Sequence, residues 1–301
     1  MKILILGGTG YIGGALYQFL NNRPDYQVDT VDLEWFGNYT NPNNINLDFA
    51  YLTPEFYNKY QAIILLAGHS SVQMSEGNNV SCFNNNVRNF VNLLPKLNKD
   101  TIFIYASSSS VYGNVRVNQA TERCDIFIPE NSYDLSKSEI DNHAKLCGLH
   151  FYGLRFGTVN GQAPNFRSDI MINSMATNGL RQKEIFVSSP EISRPILGIL
   201  DLCSAVTRII ETNDRKLRGI YNLASFNATV KDIGEKVSQI LDVKLTVGEG
   251  RSNYDFTINS NKFSTNFNFE FCDNIETIVE GIMLYFHEIH VGKRDVPISY
   301  L

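Results

Sequence analysis

The sequence predicts an α/β protein built on a doubly wound parallel sheet, with a smaller, interleaved C-terminal region. Short apolar segments alternate with longer amphipathic ones over the first half of the 301 residues. A glycine-rich turn follows the first apolar segment, and no linker rich in Pro, Gly or Ser divides the chain. Regular alternation of strands and helices is typical of right-handed crossovers and of a parallel sheet that is covered on both faces.

The strands of the first half are predicted from segments that are short, apolar or β-branched, and bounded by polar turns. They lie at residues 2–6, 27–32, 62–67, 101–107 and 150–156. Helical patterns separate them at residues 12–22, 53–60, 82–98 and 133–147. Each of the first four strands is therefore followed by a helix.

The second half has a looser pattern, which begins with a loop after residue 157. Helices are predicted at 169–180, 201–213 and 229–241, and strands at 184–189, 192–199 and 219–224. We expect residues 1–156 to form the sheet domain, with 196–224 returning to it. Residues 157–195 and 225–301 are expected to lie over the carboxyl ends of the strands, where ligands bind in such folds.

Composition excludes several classes of function. The chain has 26 Lys and Arg against 31 Asp and Glu, a net charge of -5, and no basic cluster. A nucleic acid or an anionic membrane is therefore not an expected partner. The longest apolar runs, such as 62–68, are far shorter than the ~20 residues of a membrane helix. The N-terminus has no long apolar segment of the kind found in secretion signals.

The cysteines indicate free thiols and a cytoplasmic location. Five are scattered along the chain, without a CxxC pair or a nearby histidine at metal-ligand spacing: Cys82, Cys124, Cys147, Cys203 and Cys272. An odd, scattered set is typical of reduced thiols in the cytoplasm. No metal site is predicted, because the histidines also show no ligand spacing.

A glycine-rich loop, GGTGYIGG at residues 7–14, joins the first strand to the first helix. Gly7, Gly10 and Gly13 permit a tight turn, close approach of the backbone to a pyrophosphate, and close packing of the helix on the strand. The N-terminus of the helix offers unpaired N–H groups to phosphate. This context predicts a dinucleotide-binding Rossmann domain over residues 1–156.

Asp32 ends the second predicted strand, where an acidic residue binds the ribose hydroxyls of NAD and repels the 2′-phosphate of NADP. NAD is therefore the expected cofactor. The alternative for Asp32 is a helix cap or a solvated carboxylate. Asp48, in the sequence NLDF, is equally compatible with a turn residue.

Tyr133 and Lys137 are four residues apart at the start of a helical pattern, so they share one face of the helix. An ammonium near a phenol stabilises the phenolate, which then acts as a general base. The serines of YASSSSVYG, at 105–113, follow the fourth strand and place Ser108 at the same sheet edge. The alternatives are an ordinary exposed Tyr/Lys pair and a solvated polar loop.

These motifs resemble those of the extended short-chain dehydrogenases/reductases, in the NAD-dependent epimerase/dehydratase family, which acts on nucleotide sugars. The resemblance spans nearly the whole chain and rests on GGTGYIGG, Asp32, LDF at 47–49, LLAGHSSV at 65–72, NNNVRNFVNLL at 84–94, YASSSSVYG, YDLSK and LRFGTVNG at 154–161. It implies an α/β Rossmann sheet whose interleaved C-terminal region binds a nucleoside-diphosphate sugar. It also implies a homodimer formed by the helices at 82–98 and 133–147.

The resemblance assigns roles to individual residues. The expected catalytic residues are Tyr133 as the base, Lys137 as the group that also binds the nicotinamide ribose, and Ser108 beside the reacting hydroxyl. The expected cofactor site contains Gly7, Gly10, Tyr11, Ile12, Gly13, Asp32, Asp48, Phe49, Leu66, Ala67, Gly68, Asn86, Ala106, Tyr133 and Lys137. The expected substrate site contains Ser71, Ser108, Ser109, Thr158, Arg167, Asn173, Arg194 and Arg251. For Arg194 and Arg251, which would bind the diphosphate, a surface salt bridge is the alternative.

The sequence departs from the family pattern at several of these positions. Ser109 and Ser110 stand where sugar 4,6-dehydratases carry an Asp-Glu pair, so we expect dehydration to be disfavoured. Thr158 and Gly198 replace an asparagine and a histidine that are common in relatives. Epimerisation of a nucleoside-diphosphate sugar through a transient keto-sugar is the leading prediction. A nucleotide-sugar dehydrogenase, a keto-sugar reductase and a non-catalytic NAD-binding protein are the alternatives.

Overall fold

The computed structural model describes residues 1–115, 118–126, 128–250 and 254–291. The strands of this part of the chain are β1 (Lys2–Leu6), β2 (Gln27–Asp32), β3 (Ile45–Asn46), β4 (Ala62–Leu65), β5 (Ile102–Ser108), β6 (His150–Phe156), β7 (Thr158–Asn160), β8 (Glu184–Ser188), β9 (Ser193–Gly198), β10 (Gly219–Leu223), β11 (Phe226–Thr229) and β12 (Lys244–Gly248). The α-helices are α1 (Tyr11–Asn21), α2 (Pro54–Tyr57), α3 (Val72–Ser75), α4 (Asn79–Cys82), α5 (Asn89–Leu93), α6 (Ser132–Leu146), α7 (Met171–Gln182), α8 (Ile199–Thr212), α9 (Val230–Leu241), α10 (Asn261–Phe267) and α11 (Ile275–His290).

The main sheet has seven strands in the order β10-β6-β5-β4-β1-β2-β3, and all of its strand pairs are parallel. This confirms the predicted doubly wound sheet. Every residue of β4 is buried, which is the pattern of a central strand covered on both faces. One face packs on α1, α8 and α10, and the other on α2, α5 and α6. The strand order changes direction between β1 and β4: β2 and β3 lie on one side of this point, and β5, β6 and β10 lie on the other. Ligand sites form at such switch points.

The helical segment that we predict at 82–98 is not a single α-helix. It consists of α4, a π-helical stretch at Phe83–Arg88, α5 and a final 3-10 turn at Leu94–Lys96. The sequence pattern could not indicate this change of pitch, because the apolar spacing is nearly the same. π-helical turns occur frequently at functional sites, and this one contains Asn86.

The smaller region has two small sheets, β11-β9-β7 and β12-β8, and helices α7, α9 and α11 around its own apolar core. β9 pairs with β7 and β11 in the smaller region, while its Leu197 and the following helix α8 belong to the core of the main domain. Residues 225–301 are not confined to the smaller region. Phe263 and Phe267 of α10 pack on Tyr221 of β10, in the core of the main domain.

A buried ion pair joins β6 to α6 below the carboxyl edge of the sheet. The Arg155 Nε lies 2.8 Å from the Asp141 Oδ2, and both side chains are almost fully buried. The Tyr105 hydroxyl donates to Asp141 at 3.0 Å, and the Arg155 guanidinium donates to the Tyr112 hydroxyl at 2.8 Å. The helix that carries Tyr133 and Lys137 is thereby fixed to the strand beside β5.

All five cysteines are free thiols. No helix of the described ranges has the length and apolar character needed to cross a membrane. Within the same ranges, no group of three or more His, Cys, Asp or Glu side chains is arranged to hold a metal ion.

Candidate active site

A cavity of about 970 Å³ lies at the carboxyl edge of the main sheet, between the sheet and the smaller region. Most of the residues predicted for the cofactor line it: Gly7, Gly10, Tyr11, Ile12, Gly13, Asp32, Asp48, Phe49, Leu66, Ala67, Gly68, Ala106, Tyr133 and Lys137. Six of the residues predicted for the substrate also line it: Ser71, Ser108, Ser109, Thr158, Arg167 and Arg194. Asn86 and Asn173 do not line the cavity, and Arg251 lies outside the described residues.

The glycine loop forms a close-fitting cradle between β1 and α1. A Cβ at Gly13 would stand 1.9 Å from the Gly7 carbonyl oxygen, and a Cβ at Gly7 would stand 2.5 Å from the Ala67 nitrogen. Gly7 also has a φ of +91°, which other residues rarely adopt. Gly10 precedes the helix, and no side-chain hydrogen bond caps α1. The N–H groups of the first turn are therefore available to an anion.

Asp32 is held at the end of β2 by two backbone N–H groups. Its Oδ2 accepts from Thr9 at 3.1 Å, and its Oδ1 accepts from Glu34 at 2.8 Å. The carboxylate is thereby fixed beside the glycine loop, in the cavity wall, and it does not cap a helix. Asp48 caps the 3-10 turn Phe49–Tyr51 by accepting from Ala50, as expected of a turn residue, and it also lines the cavity, where its cofactor role stays a prediction.

Asn86, predicted among the cofactor contacts, lies behind the cavity wall and does not line the cavity itself. Its amide Oδ1 accepts from the His69 N–H at 2.8 Å, and its Nδ2 donates to the Ser136 hydroxyl at 2.9 Å. A Cβ at Gly68 would lie 2.4 Å from that Oδ1. Asn86 therefore ties the loop after β4 to α6, and its polar atoms are used within the protein.

Asn173, predicted among the substrate contacts, is likewise internal and does not line the cavity. Its side chain is fully buried. The Oδ1 accepts from the Gly161 N–H at 2.9 Å, and the Nδ2 donates to the Arg167 carbonyl at 2.8 Å. Asn173 therefore shapes the loop that carries Arg167 instead of reaching the cavity.

Ser108, Tyr133 and Lys137 converge in this cavity from two elements. Ser108 is the last residue of β5, while Tyr133 and Lys137 lie on the first two turns of α6. Asn131 caps this helix by accepting from the Asp134 N–H at 2.9 Å. The Lys137 ammonium donates to the Ala106 carbonyl at 2.9 Å and lies 5.7 Å from the centre of the Tyr133 ring.

The protonation of this pair differs from the sequence-based expectation. Burial raises the pKa of Tyr133 to about 12, although a hydrogen bond with Ser108 opposes the change. Burial also lowers the pKa of Lys137 to about 8. The ammonium points at a carbonyl, so its attraction for a phenolate does not outweigh burial. Burial therefore opposes ionisation of Tyr133, while the Lys137 ammonium beside its ring favours it.

A buried carboxylate that the sequence analysis missed stands directly behind Ser108. The Ser110 hydroxyl donates to Asp134 Oδ1, and the Ser108 and Ser110 hydroxyl oxygens are 2.7 Å apart. The family pattern places a carboxylate only in the residues that follow the catalytic serine. Asp134 comes instead from α6, directly after Tyr133, where sequence spacing alone gave no sign that it would reach β5.

Arg194 approaches the cavity from β9. Its guanidinium lies 6.0 Å from the centre of the Phe256 ring and donates to the backbone carbonyl of Ser193 at 3.1 Å. Arg194 takes part in none of the ion pairs among the described residues, so the alternative of a surface salt bridge does not hold for it. Arg167 does pair with Asp169, and it lines the same cavity.

Several residues that the sequence analysis did not assign also line the cavity. They are Trp35, Phe36, Ser107, Asn165, Tyr254 and Phe256. Asn165 ties the glycine loop to the segment after β7, because its Nδ2 donates to the Thr9 carbonyl at 3.1 Å. His69 hydrogen-bonds Asn85 through its ring, at 3.3 Å, and its backbone N–H is held by Asn86.

The residues fit a bound dinucleotide. The glycine cradle and the uncapped start of α1 suit a pyrophosphate, and the fixed Asp32 carboxylate suits ribose hydroxyls. Ser107 lines the cavity, and its buried hydroxyl oxygen has no partner among the described residues. A buried hydroxyl without a partner is costly, so this oxygen is a ready contact for a polar group of a ligand.

Comparison with known proteins agrees with this geometry. Residues 3–224 match the model of the NAD dependent epimerase/dehydratase family. The UDP-glucose 4-epimerase of Pasteurella multocida is 26% identical over 287 residues, which cover 81% of this chain and 84% of that protein.

Solved structures share the fold. A UDP-glucuronic acid 4-epimerase from Bacillus cereus, in complex with UDP-glucuronic acid and NAD, has a TM-score of 0.84 at 21% identity, covering 96% of this chain and all of its own. A dTDP-glucose 4,6-dehydratase from Bacillus anthracis, in complex with NAD, has a TM-score of 0.80 at 20% identity, covering 96% of this chain and 98% of its own. The chain belongs to the NAD dependent epimerase/dehydratase family and is an NAD-dependent enzyme.

Proposed function

We propose that the enzyme epimerises a nucleoside-diphosphate sugar by oxidising one hydroxyl to a ketone and reducing the ketone on its other face. One observation carries the proposal: Ser108, Tyr133 and Lys137 share a single cavity with the glycine loop and Asp32. The cavity, of about 970 Å³, has room for a dinucleotide and a second ligand. The 4-epimerases among the relatives support this reaction class.

Each catalytic side chain has a defined role in this proposal. Tyr133 takes the proton of the reacting hydroxyl, and Ser108 holds the oxygen of that hydroxyl in place. Lys137 holds the nicotinamide ribose and keeps a positive charge close to the phenol ring. When bound, NAD supplies the hydride acceptor and returns the hydride to the keto-sugar.

Arginine side chains that line the cavity would hold the diphosphate of the substrate. Arg194 and Arg167 both line the cavity, and a guanidinium matches phosphate oxygens in charge and shape. Arg251 remains a predicted member of the same group. Ser71, Ser109 and Thr158 line the cavity as polar partners for the sugar or the nucleotide.

Net oxidation or ketone reduction would use the same three catalytic residues, so these reactions are outcomes of the test below. Dehydration remains disfavoured in this proposal. Ser109 and Ser110 line the cavity, and the Asp134 carboxylate lies behind Ser110 without lining it.

We further propose that the enzyme works in the cytoplasm. We also propose that it forms a homodimer whose interface consists of the segment 79–96 and α6. These helices pack together and expose large apolar side chains, namely Val80, Phe83, Leu135 and Leu146. Exposed apolar patches on adjacent elements are typical of protein interfaces. Light scattering of the purified protein should give twice the chain mass, and a monomer at all concentrations would contradict the proposal.

The reaction is tested by mixing the NAD-loaded protein with UDP-glucose, UDP-galactose, UDP-glucuronic acid and dTDP-glucose. The absorbance of NADH is followed, and the products are separated by chromatography. An isomeric sugar with a small or transient NADH signal supports epimerisation. Accumulation of NADH with a keto or acid product identifies a dehydrogenase, while no turnover with NAD still bound favours a binding protein.

A further inference from the structure

We propose that the side chains of Trp35 and His69 form a clasp that closes over bound NAD and sets how slowly the cofactor leaves. Both side chains line the cavity, and neither takes part in the catalytic steps proposed above. NAD is the cofactor of the family, so the clasp does not depend on which sugar reaction the enzyme catalyses. It concerns the retention of the cofactor and not its chemistry.

The two rings of the clasp are in direct contact. Their centres are 6.1 Å apart, and their planes meet at 83°. In this arrangement the edge of one ring lies against the face of the other. Trp35 belongs to the loop after β2, and His69 belongs to the loop after β4. The contact therefore joins two loops of the cavity wall that are distant in sequence.

The clasp spans the glycine loop. In the main sheet β1 lies between β2 and β4, and the glycine loop continues from the end of β1. Neighbouring strands are about 4.8 Å apart, so the ends of β2 and β4 are separated by about 10 Å. Because both rings line the cavity, the contact between them passes across the end of β1. A dinucleotide seated on the glycine loop then lies between the sheet edge and the two rings.

The residues that precede each ring belong to the predicted cofactor site. Asp32, which is predicted to bind a ribose, comes three residues before Trp35 in the chain. Ala67 and Gly68 directly precede His69, and all of these residues line the cavity. The clasp therefore covers the part of the cavity where the pyrophosphate and the adjacent ribose are expected.

His69 is the fixed half of the clasp, and it is only 4% exposed. Its backbone N–H donates to Asn86 Oδ1 at 2.8 Å, and its carbonyl accepts from Asn86 Nδ2 at 3.1 Å. Its ring Nδ1 lies 3.3 Å from Asn85 Nδ2. Burial lowers the pKa of His69, and the positive charge of Lys137 adds to this effect. The π-helical stretch Phe83–Arg88, which carries both asparagines, thus holds an uncharged ring in place at neutral pH.

Trp35 is the movable half of the clasp. It is 53% exposed, although the backbone is held on both sides of it. The Glu34 N–H donates to Asp32 Oδ1 at 2.8 Å, and the Phe36 carbonyl accepts from Asn165 Nδ2 at 3.2 Å. The clasp can therefore open by rotation of the indole about its side-chain bonds, while the loop that carries it stays in place.

A bound nucleotide gives the indole a reason to stay closed. The exposed aromatic surface of Trp35 leaves water when a nucleotide lies against it, which is favourable. A single ring pair contributes only a small free energy, so the clasp still opens for the cofactor to enter. Closure after binding slows release. Slow release suits an enzyme that regenerates NAD in every cycle, as the proposed epimerisation requires.

Fluorescence of the wild-type protein tests closure directly. Trp35 is the only tryptophan of the chain, so its selectively excited emission reports the clasp without a label. Quenching by acrylamide is measured before and after saturation with NAD. Closure over the cofactor should lower the quenching constant by about twofold or more, because the inner face of the indole becomes covered. An unchanged or larger quenching constant would overturn the proposal.

The rate of cofactor release tests the role of the clasp. Protein loaded with NADH is mixed with excess NAD, and the loss of bound NADH fluorescence, excited directly, gives the dissociation rate constant. Trp35→Ala should release NADH about tenfold faster, with little change in the association rate constant. Phe186→Ala is the matched control, since Phe186 is similarly exposed and lies outside the cavity. A wild-type release rate in Trp35→Ala would contradict the clasp.

Substitution of His69 distinguishes a clasp from a simple contact between Trp35 and NAD. Loss of either ring opens a clasp, so His69→Ala and the double variant with Trp35→Ala should both release NADH as fast as Trp35→Ala does. Two independent contacts would instead multiply their effects in the double variant. Multiplied effects, or a wild-type release rate in His69→Ala, would rule the clasp out. These measurements use no sugar, so an enzyme that turns over no nucleoside-diphosphate sugar contradicts the proposed function alone.

Discussion

Tyr133 lies at the start of α6 and lines the cavity together with Ser108, the last residue of β5. Its ring lies 5.7 Å from the Lys137 ammonium, and burial raises its pKa to about 12. We expect Tyr133→Phe to lower kcat by about 100-fold or more, the usual contribution of a general base. The measured Kd of NAD should not change, because the phenyl ring keeps its volume. An active Tyr133→Phe enzyme would show that another group takes the proton.

We expect Asp32, at the other end of the cavity, to decide the choice between the two nicotinamide cofactors. Its carboxylate is held by the Thr9 and Glu34 N–H groups, next to the site of the ribose. Asp32→Ala removes the charge that repels a 2′-phosphate, so the ratio of the Kd values of NADP and NAD should fall about tenfold or more, or ~1.4 kcal/mol. Asp25→Ala, at an exposed turn, is the control. An unchanged ratio would mean that Asp32 does not face the ribose.

Lys137 makes the stability of the protein depend on pH in a predictable direction. Burial lowers its pKa from 10.5 to about 8. Between about pH 8 and pH 10 the unfolded chain therefore binds more protons at this residue than the folded one does, and the free energy of unfolding rises with pH. Lys137→Met should be more stable than wild type at neutral pH, and this gap should narrow up to about pH 10. Urea titrations at several pH values measure the difference in the free energy of unfolding between the two proteins. A difference that stays constant with pH would contradict the lowered pKa of Lys137.

Individual site residues were predictable where local sequence decides their place. The glycine loop, Asp32 and the Tyr133/Lys137 pair each depend on spacing within one strand-helix unit. Asn86 and Asn173 were not, because their amides are satisfied by His69 and Gly161, on other segments of the chain. The contact between Asp134 and Ser110 joins residues 24 apart and arises only when α6 packs on β5.

At the scale of elements, the ion pair between Arg155 on β6 and Asp141 on α6 holds the catalytic helix to the sheet. Arg155→Met would leave a fully buried carboxylate without its cation. We expect the free energy of unfolding to fall by about 3–5 kcal/mol. Arg23→Met is the matched control, since the Arg23–Glu211 pair is exposed, and it should cost less than about 1 kcal/mol. Equal effects of the two substitutions in urea denaturation would contradict the role of burial.

The elements that the sequence predicts well are those whose apolar pattern is local. Six strands of the main sheet match their predicted segments closely, because buried parallel strands have apolar runs. The seventh, β3, consists of two exposed residues and was not predicted. The π-helical stretch Phe83–Arg88 and the 3-10 turn after α5 were missed, since a change of helical pitch leaves the apolar pattern almost unaltered.

At the scale of the whole molecule, the fold brings four distant parts of the chain to one cavity. The glycine loop, the end of β5, the start of α6 and the segment that contains Tyr254 and Phe256 all line it. The sequence predicted that the C-terminal region lies over the sheet edge, but not that α10 returns to the main core. Phe263 and Phe267 explain that return, because they fill the space beside Tyr221.

The same architecture explains why one catalytic group could serve both halves of an epimerisation. Oxidation and reduction occur at one carbon, so the keto-sugar must turn within the cavity while Ser108 and Tyr133 stay in place. The residues that would hold the diphosphate, Arg194 and Arg167, line the cavity with the catalytic group. Attachment through the diphosphate would allow the sugar to rotate without leaving the enzyme.

The most direct test of this reaction follows a deuterium atom at C4 of UDP-glucose and UDP-glucuronic acid. The NAD-loaded enzyme is mixed with each labelled sugar, and the products are analysed by chromatography and mass spectrometry. Epimerisation through a bound keto-sugar predicts an isomeric product that keeps its deuterium, because the hydride returns to the carbon that it left. An isomer that has lost the label to solvent, or a keto or acid product with deuterated NADH in solution, would contradict it.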